Sequence, residues 1–311
     1  MVKVNRILII RGGALGDFLL TLPTLNALRR SFPNVYIELM SHSSFLQLAR
    51  RYINRGESID KDGLWNFYIR DGELSTPLKN YFRNFDLIIL FVSDEEGYFR
   101  ENLTRSGVKN IIHHQPVPID NNGHFSRYLM DSLLPLNLPA NGYIPELSFI
   151  DEEIQFAEEF FKFNNLSKKV LAIHPGSGSE KKNWMVERFA KVADMLSKRG
   201  FKTILISGPA DGKTKERFLN LLDFTPLLAE NLPFMKLAAI INKCSCYIGN
   251  DSGITHLSAI TGITTIAIYG ATDPAIWGPI GRNAIVIKKD SLEDIGVEDV
   301  LVPLQLVMPT G

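Results

Sequence analysis

The chain has 311 residues, 34 Lys+Arg against 34 Asp+Glu, 45 % hydrophobic and 22 % charged residues. A formal net charge of zero argues against a nucleic-acid binder, whose affinity comes largely from neutralising phosphates. The apolar fraction argues against a disordered chain, and the length suggests two domains of about 150 residues each.

Short apolar runs alternate with amphipathic stretches. Arg6–Ile10 reads as a buried strand and Leu15–Ser31 as one helix, with Leu19, Leu22, Leu25 and Leu28 spaced along one side. Val35–Met40, Leu64–Ile69, Leu87–Val92 and Asn110–His113 are expected strands, with helical stretches around Pro77–Phe82 and Glu95–Arg105. After Ile144–Phe149 a charged helix is expected over Asp151–Phe163, ended by Asn164 and Asn165. The alternation then restarts: strands at Val170–His174, Lys202–Ser207, Cys246–Gly249, Thr264–Tyr269 and Ala284–Ile287, with helices at Val186–Arg199, Pro209–Leu222, Leu232–Ile241 and Gly253–Thr261. Such alternation indicates α/β architecture, with parallel sheets covered on both faces. The restart predicts two doubly wound domains, 1–150 and 151–311, joined near residues 145–167 with a ligand cleft between them.

Only two cysteines occur, Cys244 and Cys246, one residue apart. In an extended segment they point to opposite faces, so a mutual disulfide is not expected, and a reduced, cytoplasmic chain is. The apolar run Ile7–Ile10 is too short for a signal-peptide core. Leu87–Val92 is far below the roughly 20 residues that span a bilayer, so any membrane contact is expected to be peripheral.

Three strand-to-helix turns carry chemistry. Arg11-Gly12-Gly13-Ala14-Leu15-Gly16-Asp17 follows the first strand. Its glycines expose backbone N–H groups, but Asp17 puts a carboxylate in the first helical turn, which suits a general base better than a phosphate site. The bland account is that Asp17 complements the helix dipole. His174-Pro175-Gly176-Ser177-Gly178-Ser179-Glu180-Lys181-Lys182-Asn183-Trp184 combines small residues and lysines after a strand, a plausible phosphate cradle. The alternative is a solvated loop, and His174 reads as a packed strand-end residue. Gly249-Asn250-Asp251-Ser252-Gly253-Ile254-Thr255-His256 can cap a helix through Asp251 or Ser252, or present donors to an anion. His256 there is better suited to neutral hydrogen bonding than to charge. Gly208-Pro209-Ala210-Asp211 and Tyr269-Gly270-Ala271-Thr272-Asp273-Pro274 also follow strands, where an acid can hold ribose hydroxyls. Asp60-Lys61-Asp62 reads as a solvated loop, and His113, His114 and His124 lack a convincing metal spacing.

Taken in order, ILIIR-GGALGD with the helix to Pro33, HPGSGSEKKNW, SGPAD, GNDSGITH and YGATDP resemble glycosyltransferase family 9, the heptosyltransferases of lipopolysaccharide core assembly. The resemblance covers nearly the whole chain. It implies a GT-B fold, two Rossmann-like domains facing a cleft, with the acceptor on the first and the sugar nucleotide on the second. A last helix that packs back on the first domain is compatible with it. The implied reaction is inverting, metal-independent transfer of a heptose from an ADP-activated donor to a glycolipid or glycan acceptor, with no cofactor and no nucleic acid. The resemblance aligns Asp17 with the family's general base and Lys182 with its donor-binding lysine. It places Ser177, Asp211, Asp251, Ser252, Gly253 and His256 at the donor; Gly178 and Ser179 of the same cradle are expected there too, and Arg11, Gly13 and Arg127 are expected at the acceptor. The implied location is the cytoplasm, with peripheral contact at the inner face of the inner membrane. Two departures stand out: Met185 follows the Trp where a Pro is common, and Asp211 is one methylene shorter than the family's ribose-binding Glu.

The same residues admit other readings. A family-9 transferase can act on a protein or another surface glycan. A nicotinamide oxidoreductase wants Gly-x-Gly-x-x-Gly after the first strand, which Gly12, Gly13 and Gly16 do not supply; Glu38 on the second strand is its weak support. A non-catalytic nucleotide binder has no need of Asp17. Within the zero net charge the basic type also changes: residues 1–150 hold 12 Arg and 4 Lys, residues 151–311 hold 4 Arg and 14 Lys. Arg suits bidentate anion recognition, so some of Arg11, Arg50, Arg51, Arg55, Arg70 and Arg127 are expected to converge on an acceptor.

Overall fold

The computed structural model describes residues 4–118, 123–138, 144–270 and 272–307. The chain divides into two compact units, residues 1–143 and 144–311, so the division falls a few residues ahead of position 150.

The first unit carries strands β1 (Arg6–Arg11), β2 (Tyr36–Ser41), β3 (Arg55–Ser58), β4 (Leu87–Phe91) and β5 (Ile111–His113) in the order β3-β2-β1-β4-β5. All pairings are parallel. Its helices are α1 (Leu15–Leu19), α2 (Leu22–Ser31), α3 (Thr76–Arg83), α4 (Tyr98–Arg105) and α5 (Phe125–Asp131). The central strands are buried on both faces, which is why β4 is uninterrupted Leu-Ile-Ile-Leu-Phe rather than an alternating pattern.

Two sequence expectations change here. The single helix over residues 15–31 is two helices, because Pro23 lies in the first turn of α2. Proline has no N–H to bond the carbonyl of Leu19 and its ring crowds that carbonyl, so α1 cannot run on through it. The four leucines are nevertheless all buried, as their spacing requires. Leu64–Ile69 is no strand: Leu64–Tyr68 is a 3₁₀ turn entered through Gly63 in the left-handed region, φ 76°. Leu64 and Phe67, three apart, face the core while Trp65 between them is 63 % exposed, a helical period rather than a strand's. The third strand is instead the polar segment β3, which has no apolar run to announce it.

The second unit carries β6 (Val170–His174), β7 (Lys202–Ser207), β8 (Leu227–Glu230), β9 (Cys246–Asn250), β10 (Thr264–Tyr269) and β11 (Ala284–Lys288) in the order β11-β10-β9-β6-β7-β8, again all parallel. Its helices are α6 (Asp151–Phe163), α7 (Val186–Ser197), α8 (Gly212–Asn220), α9 (Phe234–Asn242), α10 (Gly253–Thr261), α11 (Pro274–Trp277) and α12 (Val297–Val307). The core gathers Leu171, Ile173, Ile248, Ile266 and Ile268 from the sheet with Trp184, Phe189 and Leu301 from its cover. Helix α12 packs on α7, β10 and β11 of its own unit. Cys244 and Cys246 are free and buried, as the spacing predicts.

Counted from its first strand, the second sheet runs 3-2-1-4-5-6, the Rossmann order. The strand order reverses between β6 and β9, and the loops leaving their carboxyl ends part there and open a crevice for a ligand. In the first unit the same reversal lies between β1 and β4.

Candidate functional site

The loops after β6 and β9 meet at the reversal point of the second sheet. They are tied by Asn250, the last residue of β9, which is fully buried. Its Oδ1 accepts from the Trp184 N–H at 2.8 Å, and its Nδ2 donates to the Pro175 carbonyl at 2.8 Å and toward Asn183 Oδ1 at 3.4 Å. Trp184 closes the loop's far end, with its ring fully buried and Nε1–H donating to the Ile295 carbonyl at 2.8 Å. The segment 175–184 is therefore a loop pinned at both ends.

Within it the Ser177 hydroxyl donates to the Ser179 carbonyl at 2.7 Å and accepts from the Ser179 N–H at 3.2 Å. Ser177 thus shapes the loop, and the Ser179 N–H is already engaged; Gly178 stays exposed with open space around its Cα. Lys182 lies in a short 3₁₀ turn, Glu180–Lys182, and its Nζ sits 2.7 Å from Asp251 Oδ2. The Thr272 hydroxyl donates to the same carboxylate oxygen. The two residues expected at the donor from separate motifs are thus an ion pair. Asp251 is itself almost fully buried, so the lysine supplies the partner that water cannot.

Next to Asp251, Ser252 caps α10, its Oγ accepting from the Thr255 N–H at 3.3 Å. The cap leaves the N–H groups of Gly253 and Ile254 without intrahelical acceptors. These half-buried donors at the positive end of a nine-residue helix suit an anion. His256 lies buried one turn further on. Beneath the cap Tyr247, fully buried, makes a hydroxyl contact of 3.0 Å with Thr255 Oγ1, which in turn donates to the Asn250 carbonyl.

Asp211 and His174 depart from expectation together. Asp211 Oδ2 accepts from the Gly208 N–H at 2.6 Å and meets His174 Nε2 at 3.0 Å. Burial alone pushes this carboxyl up, but the hydrogen bond and charge of His174, with the Gly208 N–H, outweigh it and hold it below the usual range. His174 is buried at the end of β6 as read from the sequence, yet its ring is more than packing, because Nδ1 faces Ser252 Oγ at 3.4 Å.

In the first unit, Asp17 is the third residue of α1 and half-buried. Its Oδ2 accepts from the Ala14 N–H at 3.0 Å, the helix-capping account, while Oδ1 accepts no hydrogen bond among the described residues. Gly13, at φ 93°, is exposed, and a Cβ there would lie 2.9 Å from Asp17 Oδ2. The turn therefore demands glycine twice over, for its backbone angle and for the carboxylate's room.

Arg11 is the main correction. Expected at an acceptor, it is 1 % exposed, with its guanidinium 3.5 Å from the Phe91 carbonyl and 5.5 Å from the Phe125 ring centroid. Nε and Nη2 are buried with no hydrogen-bond partner among the described residues. Burial pulls the guanidinium down to about 10, partly countered by the charge of Asp17. It offers no open surface to a glycan.

The expected convergence of arginines does not extend to Arg55 either. Register places it level with Glu38 and Leu8, toward the amino edge of the sheet, where it pairs with Glu57. Arg127 on α5 is exposed, as is Arg70. Glu38 lies inside β2, buried, with its carboxylate taking the Tyr81 and Tyr36 hydroxyls at 2.7 and 3.0 Å. It therefore does not stand at a strand end as a ribose acid does, which removes the support for a nicotinamide site. Among the described residues no group of three or more His, Cys, Asp or Glu could hold a metal ion. Ala271, in the turn after β10, lies outside the described residues.

Asn250, Thr272 and Tyr247 were not singled out from the sequence. Asn250 sat inside a recognised motif, but only its bonds across to the β6 loop reveal what it does.

The chain resembles known proteins along most of its length. It is 24 % identical over 301 residues to lipopolysaccharide heptosyltransferase 3 of Escherichia coli K12, covering 87 % of this chain and 84 % of that one. Its fold superposes on that of a family 9 glycosyl transferase from Veillonella parvula with a TM-score of 0.81 at 23 % identity, covering 97 % of each chain. On the Escherichia coli ADP-heptose lps heptosyltransferase II the TM-score is 0.78 at 17 % identity, covering 97 % of this chain and 98 % of the other. These neighbours share the two-unit α/β architecture of the GT-B transferases. The model of glycosyltransferase family 9 (heptosyltransferase) matches residues 106–298, more than half of the sequence. With that match, and with its motifs assembled at the reversal point of a Rossmann sheet, the chain belongs to glycosyltransferase family 9 and is a glycosyltransferase of the heptosyltransferase type.

Proposed function

We propose that the protein transfers a heptose from ADP-heptose to a lipopolysaccharide-core or related glycan acceptor, with inversion and without a metal ion. The observation that carries the reading is Lys182. It is a cation held by a buried carboxylate one residue ahead of the α10 cap, and in the first turn of α10 the N–H groups of Gly253 and Ile254 have no intrahelical acceptor. That arrangement matches a diphosphate, which presents several anionic oxygens to one cation and a row of N–H donors. The names of the relatives, lipopolysaccharide heptosyltransferase 3 and ADP-heptose lps heptosyltransferase II, support heptose and ADP as the donor's parts.

The donor occupies the second unit. Its diphosphate takes Lys182, Gly253 and Ile254, with the Ser252 hydroxyl and the Gly178 region as neighbours, and His256 contributes a polar contact in the same helix. Asp251 holds Lys182 in place and is available to sugar hydroxyls. The acceptor belongs to the first unit, where Gly13 and Arg127 are exposed. Asp17 Oδ1 takes the proton of the acceptor hydroxyl as its oxygen attacks the anomeric carbon opposite the departing phosphate. A single displacement of this kind inverts the carbon. Charge grows on the diphosphate as the bond breaks, and fixed donors that need no reorganisation stabilise it.

No helix among the described residues is long and apolar enough to cross a membrane. A cytoplasmic enzyme touching the inner membrane peripherally fits a glycolipid acceptor. Incubation of an acceptor panel with ADP-heptose, read by mass spectrometry, tests the reaction. Asp17→Asn is expected to lower turnover about 10²–10⁴-fold with ADP affinity intact; near-normal turnover removes Asp17 as the base. Lys182→Ala is expected to weaken ADP and slow transfer, and no change in either removes it from the site. A stabilisation by UDP or NAD but not ADP refutes the donor assignment; a ligand at 100 times its Kd stabilises by about 2.7 kcal/mol.

A further inference from the structure

Asp211 follows β7 where an acid that binds ribose is expected, but its carboxylate is turned into the protein, with Oδ2 already hydrogen-bonded there. Oδ2 receives the Gly208 N–H and His174 Nε2–H. Oδ1 lies where a Cβ on residue 176 would approach to 2.0 Å, so the carboxylate is packed against the backbone of the β6 loop, and glycine at 176 makes room for it. With Nε2 donating to Asp211, Nδ1 is the ring atom left to face Ser252 Oγ at 3.4 Å. That hydroxyl already caps α10 and lies 3.2 Å from Thr255 Oγ1. A continuous chain therefore runs from the end of β7, through the end of β6, to the first turn of α10.

Resting on the donor reading above, we propose that Asp211 and His174 are positioning residues for the diphosphate and do not bind the ribose. The carboxylate orients the imidazole, the imidazole holds the Ser252 hydroxyl, and the hydroxyl sets the turn whose N–H groups meet the phosphates. The contact at 3.4 Å is long for a hydrogen bond, so the ring restrains the hydroxyl without capturing it. A phosphate oxygen can still compete for the Ser252 hydrogen. The pair acts by preorganisation: a cap already fixed loses less freedom when the anion arrives.

Three ligands separate this role from its rivals. Dissociation constants for ADP, 2′,3′-dideoxy-ADP and adenosine are measured on the full chain by competition with a fluorescent ADP analogue, for the wild type, Asp211→Asn and His174→Gln. His174→Gln can keep a donor for Asp211 while losing the contact with Ser252. Asp211→Asn keeps an acceptor for Gly208 but loses the charge. Near-ultraviolet circular dichroism confirms that each variant is folded. Positioning predicts that both variants weaken ADP and dideoxy-ADP by the same factor, about tenfold for one hydrogen bond, and leave adenosine within about twofold. A ribose role predicts that Asp211→Asn weakens ADP and adenosine and spares dideoxy-ADP. General damage to the fold weakens all three. Either of these last patterns overturns the proposal, as does unchanged affinity throughout. Failure of the wild type to bind ADP overturns the donor reading itself, and so the two failures are distinguishable.

Discussion

Replacing Asn250 by Ala unpins the loop that carries Lys182, and the cost can be worked out from its bonds. The side chain is fully buried and makes two hydrogen bonds of 2.8 Å, from the Trp184 N–H and to the Pro175 carbonyl. Truncation orphans both backbone groups in the interior, at about 1–3 kcal/mol each. The expected loss is about 2–6 kcal/mol, a large share of the roughly 5–15 kcal/mol that holds a typical domain. At a slope of about 2 kcal/mol per molar urea this moves the midpoint down by about 1–3 M. Tryptophan emission is the probe, because Trp184 and Trp277 lie in the second unit while the exposed Trp65 belongs to the first. Asn250→Asp makes the test sharper. The acceptor for Trp184 survives, but a carboxylate oxygen now faces the Pro175 carbonyl and Asn183 Oδ1, acceptor against acceptor. That variant is expected to be at least as unstable as Asn250→Ala at neutral pH. It should recover in acid, when a protonated carboxyl can donate to Pro175. An Asn250→Ala chain within about 0.5 kcal/mol of wild type, the scatter of an ordinary surface substitution, refutes the claim that Asn250 fastens the two loops.

Three further predictions follow from the same geometry. Burial pushes both thiols up, Cys246 to about 12, so a disulfide-exchange reagent at pH 8 is expected to leave both cysteines untouched in the native chain and to titrate both in urea. Fast modification of either without unfolding contradicts their burial. The Asp211 carboxyl is depressed in the fold, so the unfolded chain takes up its proton first as pH falls. Its contribution to stability is present above the ordinary value of 3.8 and is lost as pH drops through the folded value. Urea midpoints of the second unit should therefore fall more steeply below pH 4 in the wild type than in His174→Gln, where the bonded imidazole is gone; parallel curves remove the His174 contact as the cause. Pro23→Ala restores the N–H that can reach the Leu19 carbonyl. Added helix by far-ultraviolet circular dichroism is expected, and no gain means that tertiary packing, rather than the proline, separates α1 from α2.

Local chemistry determined much of this protein from its sequence alone. Strands β6, β7 and β10 and helices α6 and α10 fall where apolar runs, cap residues and glycines place them, because those signals act over a few neighbouring residues. The motifs that mark family membership were equally legible, since each is a continuous strand-turn-helix segment. Signals failed where local pattern was ambiguous or absent: Leu64–Tyr68 is as apolar as a strand but turns, and β3 is polar but pairs with β2. The tertiary structure alone decided what each chemical group meets. Lys182 and Asp251, Asn250 and Trp184, His174 and Asp211 are joined across 69, 66 and 37 positions because β6 pairs with both β7 and β9. Burial was decided at the same level: it turned Arg11 from a surface anion binder into an interior cation beside Asp17, and bound Glu38 to two tyrosines. Strand order and burial are properties of the whole packed sheet, so no local window of the sequence contains them.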